Sequence, residues 1–175
     1  MTHLSGNHLV AKTHGRIAFR GLVDTMEAEV LEAQVLASEL GEGGFCGYLG
    51  EILDYLRAIM AAEVKETALP PPFLFGMDAE EIHRRSHDTE GSFGMAAPLP
   101  AYTQGPLAAR LNTLRAKLRE AELFAVKVFG PHTPGTADTE EADLYPREDI
   151  ILALNRLSSA LWWLYCKYTS RQLDR

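Results

Sequence analysis

Cysteine is scarce in this sequence. Cys46 and Cys166 are the only two in 175 residues, they lie far apart, and neither falls in a CxxC or other metal-spaced cluster. A disulfide framework and a cysteine zinc centre are therefore excluded as expectations. No apolar run is long enough to span a bilayer, and Met1 to Gly15 lacks the apolar core of a signal peptide, so a cytoplasmic location is expected. Basic charge is also short. Lys and Arg number 17 against 24 Asp and Glu, a net charge of -7, which argues against a nucleic-acid binder, since such proteins carry a basic stripe that displaces counterions. An anionic ligand would need a local basic pocket. Strand signals are almost absent, and there is no internal repeat and no low-complexity tract.

What is present is apolar periodicity. With 46% hydrophobic residues the chain can bury one substantial core, so a single domain over residues 1–175 is expected. Leu22, Val23, Met26, Val30 and Leu36 recur at helical spacing up to a glycine-rich stretch, Gly41 to Gly50, which reads as a turn because it lacks the lysine and serine of a phosphate loop. Leu49, Ile52, Leu53, Leu56, Ile59, Met60 and Val64 form a second stripe, stopped by Pro70 to Pro72. Asp78 is an N-cap candidate for a short helix from Ala79 to about His87, followed by a glycine- and proline-rich loop to about Pro106. A third long helix runs from Leu107 to Phe129, an acidic loop spans His132 to Tyr145, and Pro146 is placed as the first residue of the last helix. The fold class is all-α: four long helices plus a short one in a helical bundle.

Three segments carry candidate chemistry. Arg115, Arg119 and Glu122 stack on one face of the third long helix, where two arginine forks one turn apart could clamp a triphosphate or form intrahelical ion pairs. Lys12, Arg16, Arg20 and Asp24 lead into the first core helix, with Asp24 near its beginning, either facing the helix dipole or orienting an arginine of another helix. In the last helix Asn155 and Ser159 share a face, Arg156 points away from it, and an asparagine in so apolar a helix needs a partner. His83 and His87, four apart, read as a helix end rather than a metal pair, because no third ligand is near in sequence. Trp162, Trp163 and Tyr165 surround the last helix, and one bundle core is not expected to bury all three, which predicts a homo-oligomer.

In order and spacing, these segments resemble the corrinoid (cobalamin) adenosyltransferases. Lys12, Arg16, Gly21 and Asp24 match a pattern of the propanediol-utilisation type, as do Arg115, Arg119 and Glu122, and Asn155, Arg156, Leu157 and Ser158. The phrases THLS, LVAK, FRGLVD, HRRSH and ALNRLSS resemble the ethanolamine-utilisation type more closely and run from Thr2 to Ser159. The resemblance implies a cobalamin adenosyltransferase-like bundle that moves the 5'-deoxyadenosyl group of ATP to the cobalt of cobalamin with Mg2+, in ethanolamine utilisation and in association with a bacterial microcompartment. It implies ATP contacts from Lys12, Arg16, Arg115, Arg119, Glu122 and Asn155, and a catalytic pair of Asp24 with Arg115 across the bundle. Aromatic candidates for the corrin side are Phe73, Phe75 and Phe93, with Trp162 and Trp163 as further ones. A trimer is implied, with a dimer as the alternative.

Two departures stand out: Ser159 replaces an aspartate of the propanediol type, and that type's glycine-rich N-terminal loop is missing from Met1 to Val10. The chain begins at the THLS phrase, upstream of which some ethanolamine-type members carry a cysteine and histidine cluster; no structural metal site is expected here. Two other readings compete. One is a non-catalytic corrinoid carrier or assembly subunit. The other, a ferritin-like di-metal bundle, rests on one Glu80-x-x-His83 pattern where two are needed.

Overall fold

A computed structural model describes residues 1–5, 8–130 and 146–173. Two short strands, β1 (Thr2–Ser5) and β2 (His8–Val10), pair antiparallel and precede α1 (Gly15–Glu39), α2 (Gly43–Lys65), α3 (Ala79–His87), α4 (Thr89–Phe93), α5 (Gly105–Phe129) and α6 (Glu148–Leu173). Among the described residues the architecture is all-α apart from that hairpin. α1 packs on α2 and on α5, α5 packs most extensively on α6, and α3 lies against α6.

The apolar stripes become the core because their spacing keeps one face of each helix inward. Val23, Met26 and Val30 of α1, Leu49, Ile52, Leu56 and Ile59 of α2, Leu111, Leu114 and Leu118 of α5, and Leu154, Leu157 and Leu161 of α6 are all buried in it. α1 and α5 run antiparallel. Phe19 meets Phe129 edge to face at 5.0 Å, while Lys117 pairs with Glu29 and Arg110 with Glu32 farther along.

Several expected boundaries move. α1 starts at Gly15, so Arg16 and Arg20 lie inside it and Asp24 is mid-helix, beyond the first turn in which a helix dipole acts. Most of the glycine stretch is helical: α2 begins at Gly43, and the turn is confined to residues 40–42, where Gly41 takes φ +73°. Neighbouring apolar phase outweighs the helix cost of glycine here. The loop after His87 contains α4 and a single 3-10 turn at Tyr102–Gln104. Pro146 stands two residues before α6, and the carbonyl of Arg147 accepts the first helical bonds, from the amides of Ile150 and Ile151. The hairpin carried too little alternation to be read from sequence. The acidic loop from His132 to Tyr145 lies outside the described residues.

A buried polar knot closes one end of the bundle. Glu63 of α2, fully buried, accepts from Arg16 Nε at 2.5 Å and from Arg20 Nε at 2.5 Å. Arg20 Nη2 also donates to the Leu4 carbonyl of β1, docking the hairpin. Arg16 Nη2 caps α2 through the Glu63 carbonyl, and Arg147, also buried, donates to the carbonyls of Ala62 and Thr67. The carbonyls of Ala62 and Glu63 also accept from the amides of Thr67 and Glu66, so the arginine forks add a second donor at the end of α2. Burial works to lower the Arg16 pKa, but the hydrogen bonds it donates to Glu66 and Glu63 hold it above its ordinary value.

Glu63→Ala leaves two arginines without their shared anion and is expected to cost about 3 kcal/mol of stability, readable in urea unfolding; a loss within experimental error would show that the knot is not stabilising. Asp149 accepts from Arg147, from the Leu69 amide and from the Ile150 amide. Burial pushes its carboxyl up, and these donors more than reverse that, holding it below 3.8. Its contribution is therefore complete above 3.8 and lost as pH falls through the lower folded value. Asp149→Asn should be less stable than wild type at neutral pH, with a gap that narrows only below 3.8.

Candidate active site

The charged face of α5 meets α6 at a cavity of about 390 Å³. Arg115 and Arg119 line it from α5, and Ser158, Ser159 and Trp162 from α6. Ser86 and His87 of α3 and the segment 97–100 complete the wall. Arg115 is held in place twice. Its Nε and Nη2 donate to Asn112 Oδ1 at 3.2 and 3.1 Å, and its guanidinium lies over the Trp162 ring, 5.3 Å from the centroid. Trp162 in turn stacks on buried Tyr165 at 5.2 Å. Burial lowers the Arg115 pKa, and the charge of Arg119 adds to the effect. Two like charges side by side, with no ion-pair acid among the described residues, are an arrangement that an anion relieves.

One turn farther along α5, Glu122 Oε1 accepts from Asn155 Nδ2 at 2.9 Å, and Asn155 Oδ1 accepts from Arg156 Nη1 at 2.7 Å. Four of the expected ATP residues, Arg115, Arg119, Glu122 and Asn155, are thus neighbours across the α5–α6 seam. A second, more apolar cavity of about 360 Å³ opens between Glu122, Val126, Ile151, Leu152 and Asn155.

The α1 residues lie elsewhere. Lys12 is exposed ahead of α1, and Arg16 sits in the buried knot. A methyl group added at Gly15 would meet Val128, while Glu29 pairs with Lys117, so Arg115 is level with the neighbourhood of Glu29. The helical rise between Gly15 and Glu29 is about 20 Å, far more than three linked phosphates cover. Asp24 is exposed, and among the described residues it has no ion-pair partner. Arg115 is held by Asn112 and Trp162 within the chain, not by Asp24.

The aromatic candidates separate too. Phe75 stacks on Trp163 at 5.6 Å and Phe93 tilts against it at 5.7 Å, whereas Phe73 is 69% exposed. Trp163 and Tyr165 are buried within the chain and Trp162 is half-buried, so these three do not by themselves require an interface. His87 Nδ1 donates to the His83 carbonyl at 2.9 Å, and among the described residues no group of three or more His, Cys, Asp or Glu is placed to hold a metal ion.

Sequence reasoning missed Asn112, Glu63 and the pairing of Trp162 with Arg115. Two of these left a signal. Asn112 is three residues before Arg115, within reach on one face, and Glu63 continues the buried phase of Ile52, Leu56 and Ile59. Nothing local marks Trp162 as the seat of an arginine on another helix.

The profile of the family described as cobalamin adenosyltransferase matches residues 1–168. The chain belongs to that family. Over 162 residues it is 32% identical to the corrinoid adenosyltransferase EutT of Salmonella typhimurium, covering 93% of this chain and 56% of that protein. Over 172 residues it is 31% identical to the corrinoid adenosyltransferase EutT of Escherichia coli, covering 98% and 60%. The chain therefore spans a little over half the length of these relatives. No solved structure matches it. No described helix is long and apolar enough to cross a membrane.

Arg115→Lys keeps the charge but loses the fork and the stack on Trp162. Its affinity for inorganic triphosphate is expected to fall about tenfold in calorimetry; unchanged affinity would remove Arg115 from the anion site.

Proposed function

We propose that the protein is an ATP:corrinoid adenosyltransferase of the ethanolamine-utilisation type, acting in the cytoplasm in association with a bacterial microcompartment. The observation that carries this reading is the family match together with Arg115 and Arg119 side by side in a cavity, lacking an acidic partner among the described residues. In the reaction the cobalt(I) lone pair of the reduced corrinoid attacks the 5' carbon of ATP. A cobalt–carbon bond forms, the carbon–oxygen bond breaks, and triphosphate leaves with that electron pair while cobalt is formally oxidised by two electrons.

The chain's own contribution is positioning and charge. Arg115 and Arg119 hold the polyphosphate and stabilise the negative charge that grows on it as the bond breaks. Asn155 orients Glu122, whose second oxygen suits magnesium, an ion that takes one or two carboxylates together with substrate phosphates. Trp162 stiffens Arg115 against rotation. Phe75 and Phe93, packed on Trp163, offer apolar surface for the corrin side, with Phe73 exposed beside them.

Lys12, Arg16 and Asp24 join this site from a second copy of the chain. The axial separation of about 20 Å supports that for Lys12 and Arg16, as do an exposed Lys12, an exposed Asp24 free to meet the partner's arginine face, and exposed Leu123, Val126 and Leu152 along α5 and α6. Arg16 contributes by exchanging its outer partner Glu66 for a phosphate oxygen. A closed homo-oligomer, a trimer, accommodates such shared sites, with a dimer as the other arrangement.

The test is adenosylcobalamin formation from ATP, magnesium and chemically reduced cob(I)alamin, with ATP binding followed in parallel. Turnover is expected, and ATP binding without turnover would favour a corrinoid carrier instead. Arg115→Ala and Lys12→Ala should each lose most activity alone. Co-expressed, they should recover roughly a quarter of it through sites that draw one intact half from each copy; a mixture as inactive as its parents would rule out sharing.

A further inference from the structure

One wall of the Arg115 cavity is the segment 97–100, which contains Pro98, Pro100 and a Leu99 that is 87% exposed. It has no helix or strand of its own. Gln104 ties it down: Oε1 accepts from the Ala101 amide at 2.8 Å, and Nε2 donates to the Leu99 carbonyl at 3.2 Å. The same Oε1 accepts from the Tyr165 hydroxyl at 2.5 Å. Tyr165 is fully buried on α6, its ring stacks on Trp162, and Arg115 lies over Trp162. Burial pushes the Tyr165 phenol up, which keeps its hydroxyl a donor. The opposed walls of the cavity, one a loop and one an arginine, therefore rest on the two ends of a single phenol ring that does not itself line the cavity.

We infer that Tyr165 is the positioning residue of the polyphosphate site, fixing the loop wall through Gln104 and Arg115 through Trp162. The inference rests on the adenosyltransferase reading above, since it concerns how that site is kept in shape. A buried hydroxyl bonded to a side-chain amide is worth more than its surface counterpart, because the Tyr165 hydroxyl left alone is desolvated and unpaired. Here the amide oxygen serves both the phenol and the loop amide, so losing the phenol loosens the loop rather than only the core.

The test uses the full chain, with Tyr165→Phe, Gln104→Ala and the double variant. Inorganic triphosphate binding is measured by calorimetry and backbone hydrogen exchange is measured across the bundle. Tyr165→Phe is expected to weaken triphosphate about fivefold and to speed exchange in residues 97–104 while leaving α1 and α2 as they were. Gln104→Ala, at the half-buried end of the 3-10 turn before α5, should do the same. The double variant should bind no worse than Gln104→Ala alone, since Tyr165 reaches the loop through Gln104. Affinity within twofold of wild type, additive losses, or exchange that accelerates evenly over the whole bundle would each overturn the role. Wild-type protein that binds no triphosphate would sink the adenosyltransferase reading itself, whereas binding indifferent to both substitutions would sink only Tyr165.

Discussion

The buried carboxylate of Glu63 is the constraint on which the arrangement depends. It stands at the end of the bundle where β1, α1 and α2 come together, and it accepts from two arginines of α1. A charge with no access to water survives only when it is paired and its remaining lone pairs are used. Arg16 and Arg20 meet that requirement, and in doing so they fix the register of α1 against α2. α1 in turn sets α5 through Phe19 on Phe129 and Lys117 on Glu29, and α5 carries the two arginines that line the cavity. The position of Arg115 is thus inherited from a polar knot at the far end of the molecule.

That division shows how an acidic protein can still present a local pair of cations. Some of its arginines are engaged structurally: Arg20 and the inner edge of Arg16 by Glu63, and Arg147 by Asp149 and the end of α2. Others carry surface ion pairs, such as Arg84 and Arg85 with Glu81. Arg115 and Arg119 differ from both groups. Arg115 is braced by an amide and an aromatic face, neither of which neutralises it, so its charge stays directed at the cavity. Local charge, not net charge, decides what such a protein attracts.

Packing inside the chain also changes the meaning of the aromatic residues. Trp163, Phe75, Phe93 and Tyr48 form one cluster, while Trp162 and Tyr165 form a second stack beneath Arg115. Adjacent positions on α6 point in directions about 100° apart. Trp162 therefore lies at the cavity and Trp163 in the core, while Leu123, Val126 and Leu152 are among the apolar residues left exposed.

The sequence by itself determined the class of fold, the short helix from Ala79 to His87 with its Asp78 cap, the family, and the shared face of Arg115, Arg119 and Glu122, because each is written in local periodicity, a cap or an ordered motif. Helix starts were less legible. The glycines of α2 and the basic turn of α1 are helical because their neighbours pack, which outweighs propensity. Only the tertiary structure decided that Arg16 closes a buried knot, that Asn155 meets Glu122, that Asp24 stands apart from Arg115 within one chain, and that Tyr165 reaches Gln104. Each of these pairs residues far apart along the chain on different helices. Spacing fixes which side of a helix a residue occupies, but the rotation and axial offset of one helix against another come from the packing of the whole core.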